Sequence, residues 1–311
     1  MRRLNAIPLI LSLAAATAIA ASGNEGGGGE PASGDEVSVL SYNVHGLFRL
    51  AAKDDPRDRM PAIGWLSRRY QVVLYQEDFE YHDLLSQQLS EHESFLGNGV
   101  AGDVRRIFAK LIAMPITMWI PRFSPPYGAG VSTAVHGRNE ILDSRKDHYH
   151  DCYGWFGANG DCWAAKGYLV VRFRTPGGAE IDVYNTHLEA GGTEESGRAR
   201  RNQLDELATA IETYSASRAV IVSGDYNIGW VRPQDRDMVS AFRTRLELSD
   251  SGAGPETPFW RERDFILFRS GATTKLTVTR AGEATEYVSE GMALSDHPAL
   301  YANFRAEVVT P

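Results

Sequence analysis

Residues 181–192, IDVYNTHLEAGG, and 219–227, AVIVSGDYN, decide the architecture of this chain, because a helix pattern lies between two strand patterns. Ile181 to Asn185 and Ala219 to Ser223 are short apolar runs of the β-branched and aromatic residues that suit strands. Between Glu194 and Tyr214, Leu204, Leu207, Ala208 and Ile211 recur at helical spacing with charges between them, as in an amphipathic helix lying on a sheet. His187 and Asp225 therefore stand at or just beyond strand ends.

Working outward, the same arrangement recurs. Val37 to Asn43 is a strand pattern ending in polar residues, with Gly46 free to turn the chain; 57–70 reads as helix; Gln71 to Gln76 is a short buried strand followed directly by Glu77. Gly128 to Val135, Tyr168 to Phe173, Asp264 to Phe268 and Leu300 to Phe304 supply further strands. Several are joined by short turns, so the sheets are expected to be mixed rather than parallel throughout. The apolar stretch LIAMPITMWI, 111–120, is broken by Pro115 and reads as core.

At the start of the chain, Arg2 and Arg3 precede an apolar run from Ile7 to Ala20 that ends in Ala18-Ile19-Ala20, the pattern of an export signal with its cleavage site. The run is shorter than the ~20 residues that cross a bilayer, so residues 1–21 are expected to be a signal peptide and not a membrane span. Residues 22–36, including Gly26 to Gly29, read as a flexible linker. A single folded body is expected over 37–311, starting near Val37. The formal charge is -8, and losing Arg2 and Arg3 leaves the remainder more acidic still. This argues against a non-specific binder of nucleic-acid backbones, whose affinity comes from Lys and Arg. The basic run Arg198 to Arg201 lies near the start of the predicted helix and reads as a solvated face. An exported chain whose cysteines are Cys152 and Cys162 is expected to join them as a disulfide. The rival is a zinc site from His148, His150 and Cys152, but no second spaced ligand pair accompanies them. The protein is expected to be secreted or periplasmic and monomeric.

Asn43, Glu77, His187, Asp225, Asn227, Asp264 and Asp296-His297 nearly all lie at or near the ends of apolar runs. Taken singly, each suits a turn, a surface charge or a structural histidine. Together they offer oxygen ligands for a hard cation and two imidazoles. Magnesium needs few protein oxygens because it retains waters, and Glu77 with the Asn43 amide suits it. Phosphodiester hydrolysis further needs charge neutralised on the non-bridging oxygens and a water stripped of its proton. Asn227 and His187 suit the first task, and His297 the second once a carboxylate fixes its ring.

The segments LSYNVHG (40–46), LYQEDF (74–79), YNTHLEAG (184–191), VSGDYNI (222–228), RDFILF (263–268) and LSDHPAL (294–300) resemble, in order, the motifs of the endonuclease/exonuclease/phosphatase, or DNase I-like, superfamily. The resemblance implies a four-layered α/β sandwich of two packed mixed sheets flanked by helices, with the site at one edge. It implies a metal-dependent phosphoric diester hydrolase using Mg2+, with Mn2+ or Co2+ as possible substitutes. Glu77 and Asn43 match the metal-binding pair, His297 the general base and Asp264 the residue that orients it. Asp225, Asn227 and His187 match residues that hold the phosphate and stabilise the transition state, and Asp296 a position near the metal and nucleophile.

Residues 161–173, DCWAAKGYLVVRF, are similar to the Asp-x-x-Ala-x-Lys-Gly segment of neutral and bacterial sphingomyelinases, which lies close to the active site in that family. The likeness implies a sphingolipid at a membrane surface as substrate, with Lys166 and Gly167 in a loop that meets phosphate or orders the site. Without it, Lys166 reads as a strand-edge lysine and Gly167 as a bulge. The alternatives are a secreted DNase I-like endonuclease, a phosphoinositide or other phosphoester phosphatase, and a binding module that has lost catalysis. One departure stands out: between the last two motifs, 269–295 lacks the paired aromatics of the lipid-entering hairpin of secreted bacterial sphingomyelinases, offering Tyr287 and scattered aliphatics, while Phe259-Trp260 falls before Asp264.

Overall fold

A computed structural model describes residues 34–47, 55–97, 129–154, 161–164, 166–228, 233–252 and 264–310. The expected signal and most of the expected linker, the LIAMPITMWI run and Phe259-Trp260 lie outside them. In chain order the strands are β1 (Asp35–Asn43), β2 (Val72–Gln76), β3 (His92–Leu96), β4 (Ser132–His136), β5 (Glu140–His148), β6 (Gly167–Arg174) and β7 (Glu180–His187). They continue with β8 (Ala219–Asp225), β9 (Ser249–Asp250), β10 (Asp264–Arg269), β11 (Thr274–Glu283), β12 (Val288–Ser289), β13 (Met292–Ala293) and β14 (Leu300–Val308). The helices are α1 (Pro56–Ser67), α2 (His82–Ser86), α3 (Asp161–Ala164), α4 (Glu194–Tyr214) and α5 (Pro233–Leu246).

Two six-stranded sheets form, one ordered β11-β14-β1-β2-β4-β3 and the other β5-β6-β7-β8-β10-β9. Each contains one parallel pair, β1 with β2 and β7 with β8, and is otherwise antiparallel. The parallel pairs are the ones joined through long helices, α1 and α4, as a crossover requires.

Alternation of side chains builds the layers. On β1, Val37 and Val39 point between the sheets with Val72, Leu74, Val171, Val183, Ile221 and Ile266. Leu40 and Tyr42 face outward onto Met60 and Ile63 of α1 and Leu85 of α2. Val220 and Val222 of β8 likewise face outward, onto Leu204, Leu207 and Ile211 of α4 and Phe242 of α5. The result is helix, sheet, sheet, helix, the four-layered sandwich expected. Helix α4 starts as its sequence dictates: the Thr193 side chain accepts from Ser196 N, with Glu194 and Glu195 in the first turn at the positive end of the helix dipole.

Some elements depart from the sequence-based expectation. Strand β1 begins at Asp35, ahead of Val37, because Asp35 and Glu36 pair through main chain with Ala306 and Arg305. Strands β3, β5 and β11 and helix α5 were not anticipated; β5 reads EILDSRKDH and is largely exposed, so it carries little apolar signal. Gly167 is not a bulge. It pairs in register with His148, and a Cβ there would meet Asp147 O at 2.2 Å, so close approach of β5 demands glycine.

The sheets are tied together by buried amides. Gln76 Nε2 donates to Asn185 Oδ1 at 2.7 Å, and Asn185 Nδ2 donates to Tyr75 O at 2.9 Å and Ser132 O at 2.8 Å. Asn185→Ala strands these partners in a dry interior, and roughly 3 kcal/mol of stability should be lost in urea unfolding. A loss below about 1 kcal/mol would show that the clamp contributes little.

Candidate active site

A single rule of topology gathers the site. Strands β1, β2, β7 and β8 run one way and contribute their last residues or the residue beyond: Asn43, Glu77, His187 and Asp225. Strands β10 and β14 run the other way and contribute from their starts: Asp264 opens β10 and His297 precedes β14. All six therefore meet at one edge, where the two sheets face each other.

Asn43 bridges the sheets. Its Nδ2 donates to Glu77 Oε1 at 3.1 Å and to Asp225 Oδ2 at 3.0 Å, while its Oδ1 accepts from His45 N at 3.0 Å. The amide nitrogen thus faces the carboxylates. To present its oxygen to an ion, the Asn43 amide would have to turn over.

Glu77 receives a second bond, from His45 Nδ1 to Oε2 at 3.2 Å, and His45 also lies 3.5 Å from Asp296 Oδ1. Burial works to raise the Glu77 carboxyl, but the His45 bond, the His187 ring and the Asn43 bond overcome it and hold the group ionised far below the usual carboxylate range. The bond to Glu77 raises His45 in return. Sequence reasoning did not single out His45, although it stands inside LSYNVHG; its role depends on a left-handed turn, φ +48, that returns the ring towards β2.

His187 is 2% exposed, and both ring nitrogens are buried without a hydrogen-bond partner. Its Nε2 lies 3.5 Å from Asp225 Oδ2 and 4.0 Å from Glu77 Oε1. Burial first, then the Lys166 charge, push the ring well below the ordinary histidine range, so it is neutral. A buried imidazole with both nitrogens unpaired is costly unless something else enters the site.

Asp225 and Asp264 are directly paired across β8 and β10. Burial, reinforced by Asp264, raises Asp225 to about 6. Asp264 Oδ2 accepts from His297 Nδ1 at 2.8 Å, leaving Nε2 turned towards Asp225 Oδ2 at 3.7 Å. Burial disfavours charge on His297, but Asp264 and then Asp225 win and raise it to about 10. Asp296 is 62% exposed at the rim. Asn227, at φ +51, donates its main-chain N–H to Asp225 Oδ1 at 2.8 Å and its Nδ2 to Leu188 O at 2.9 Å, so part of its amide is spent on the loop after His187.

Lys166 does not reach the carboxylate cluster. It is buried, donates to Leu188 O at 2.7 Å and pairs with Asp161 Oδ1 at 2.9 Å. Of the two roles considered for it, ordering a loop is the one this geometry serves. The loop is held further by Ala190 N on Asp161 Oδ2 and by Arg200, which donates to the carbonyls of Glu189, Ala190 and Gly191. Thus Arg200, from the basic run expected to be a solvated face, is buried at 1% exposure. Cys152 and Cys162 form the expected disulfide, which excludes Cys152 as a zinc ligand and anchors the segment carrying Asp161.

Among the described residues, two groups of side chains have ligand atoms close enough to hold a cation: Glu77, His187 and Asp225, and Asp225, Asp264 and His297. The concentration of carboxylate oxygen, with unpaired buried polar atoms on His187 and Asp264, fits a divalent cation.

The fold is shared with known structures. The endonuclease/exonuclease/phosphatase from Bacteroides vulgatus superposes with a TM-score of 0.63 at 18% identity, covering 88% of this chain and 100% of that one. TDP2 from D. rerio, complexed with single strand DNA product, gives 0.61 at 18% identity, covering 87% and 99%. At the level of sequence, the chain is similar to proteins named sphingomyelinase. That of Mycobacterium tuberculosis is 29% identical over 290 residues, and that of Mycobacterium bovis matches to the same extent. These matches cover 88% of this chain, which spans 53% of the length of each relative. No protein-family model matches the chain.

Glu77→Gln should weaken Mn2+ binding, followed by the EPR signal of free Mn2+, by more than the ~10–100-fold typical of losing a residue that merely supports a ligand. An unchanged titration would remove Glu77 from the ligand set.

Proposed function

We propose that this protein is a secreted, Mg2+-dependent phosphodiesterase of sphingomyelinase type, a phospholipase C that hydrolyses sphingomyelin to ceramide and phosphocholine. The observation that carries this reading is the similarity to mycobacterial sphingomyelinases over 88% of the chain, joined to a site where Glu77, His187, Asp225, Asp264 and His297 converge. The Cys152–Cys162 bridge supports an oxidising destination. Among the described residues no helix is long and apolar enough to cross a membrane.

In this reading Glu77 and Asn43, with Asp225 beside them, would hold the cation, which would supply positive charge to offset that on the non-bridging phosphate oxygens. Asp264 fixes the His297 ring through Nδ1, so that Nε2 faces the site and accepts the proton of the attacking water. Asp264 first, and then Asp225, overcome burial and raise His297 to about 10; a cation held beside Asp225 would lower it from there, the direction a base requires. His187, neutral and dry, offers an N–H to charge developing on the phosphate, and Asn227 assists from the neighbouring loop. Hairpin β12–β13 exposes Val288 at 51% and Met292 at 68%, close in sequence to Asp296 and His297. This aliphatic pair, where the resemblance leads one to expect aromatics, is our candidate for contact with the lipid surface; Tyr287 is buried against Tyr42 and takes no part.

The test offers the purified protein sphingomyelin micelles, phosphatidylcholine and plasmid DNA, with Mg2+ and with a chelator. Phosphocholine release from sphingomyelin that stops on chelation is the expected result. Nicking of DNA without phosphocholine release would replace this reading with a DNase I-like one. On the active substrate, His297→Ala should lower kcat by about a hundredfold to ten-thousandfold with folding intact. Turnover close to wild type would show that the base lies elsewhere.

A further inference from the structure

The candidate cation ligand Glu77 occupies an unfavourable backbone conformation, with φ +54. For a residue with a Cβ this costs of order 1–3 kcal/mol, and it persists only where the surroundings impose it. Main-chain bonds supply part of that constraint. Gly46 N and Phe79 N both donate to Glu77 O, at 2.8 and 3.0 Å, and Asp78 N donates to Gly130 O at 3.0 Å.

The remaining constraint comes from the next side chain. Asp78 is fully buried, and its Oδ2 accepts from Ser132 Oγ and from His82 Nδ1, each at 2.5 Å. Ser132 opens β4 and pairs with Tyr75 of β2, while His82 opens α2. Asp78 therefore pins the chain, one residue beyond Glu77, to a strand and a helix at once. Ser132 also accepts from Asn185 through its carbonyl, so the pin is continuous with the bond that ties the two sheets. Packing alone does not call for a carboxylate at this position. Asp78 Oδ1 is buried without a partner, a cost that an apolar side chain of similar size would avoid. The Asp78 side chain bonds none of the catalytic groups; what it fixes is the path of the chain through Glu77.

We propose that Asp78, clamped by Ser132 and His82, is a positioning residue that holds the left-handed turn at Glu77 and thereby sets the affinity of the site for a divalent cation. The proposal rests on Glu77 being a cation ligand. It predicts a change in metal affinity with little change in turnover once metal saturates, which separates it from a role in packing alone.

The experiment uses the full chain and Mn2+ alone as probe, followed by EPR, with circular dichroism and thermal unfolding on every variant. Asp78→Asn keeps the size and replaces the ionised oxygen that accepts from both Ser132 and His82 with a neutral, weaker acceptor; Ser132→Ala removes one donor with a milder change. Each should weaken Mn2+ binding about tenfold below its unfolding temperature. Ser132→Thr, which retains the hydroxyl, should bind like wild type, and kcat at saturating Mn2+ should stay close to wild type in all of them. Wild-type Mn2+ affinity in Asp78→Asn and Ser132→Ala, with Glu77→Gln impaired, overturns the proposal and leaves the metal site standing. Unchanged binding in Glu77→Gln overturns the ligand assignment itself.

Discussion

The hydrogen bond from Gln76 to Asn185 is the contact on which the site depends. It lies between two sheets whose other facing residues are mostly Val, Leu, Ile and Phe. Aliphatic contacts of that kind fix the distance between layers but discriminate weakly between neighbouring registers. An amide pair in a dry interior does discriminate, because sliding one sheet over the other leaves buried donors and acceptors unpaired. Gln76 directly precedes Glu77, and Asn185 stands two positions before His187. Fixing the amides therefore fixes the gap between the glutamate of one sheet and the imidazole of the other.

Convergence brings acidic groups together where water is scarce. Glu77, Asp225 and Asp264 reach the same edge, and their mutual repulsion has to be met locally. Asn43 meets part of it by donating to Glu77 and Asp225 together; His45 and His297 meet more. The protonation pattern follows from these contacts. His297, bonded to a carboxylate, is raised, whereas His187, buried with no hydrogen-bond partner and near Lys166, is lowered. Two imidazoles at one edge are thereby driven to opposite states, the difference that separates a base from a neutral donor in a shared site.

The loop after His187 shows how a motif can be legible while its mechanism is not. Lys166 stands out in the sequence as a cation near the chemistry. In the folded chain its ammonium is consumed by Asp161 and Leu188 O, and Arg200 is consumed by three successive carbonyls of the same loop. Both hold this loop, and the Lys166 charge also lowers the neighbouring His187. The disulfide belongs to this arrangement, since Cys162 adjoins Asp161.

Sequence alone determined the local facts. Short apolar runs marked β1, β2, β7, β8, β10 and β14, helical spacing marked α4, and the polar residues at or near the ends of those strands gave Asn43, Glu77, His187, Asp225, Asp264 and His297, because a strand buried on both faces must change composition where it emerges. Strand β5 and helix α5 were illegible because their residues are largely polar; β5 is held by main-chain pairing with β6, which leaves no trace in composition. Tertiary structure alone decided that six ends meet at one edge, that the Asn43 amide turns its nitrogen to the carboxylates, that Lys166 faces inward and that Asp78 pins the Glu77 turn. Each of these depends on contacts between residues far apart in the chain, and the order in which strands pair, unlike the period of a strand, is not written in any local run of residues.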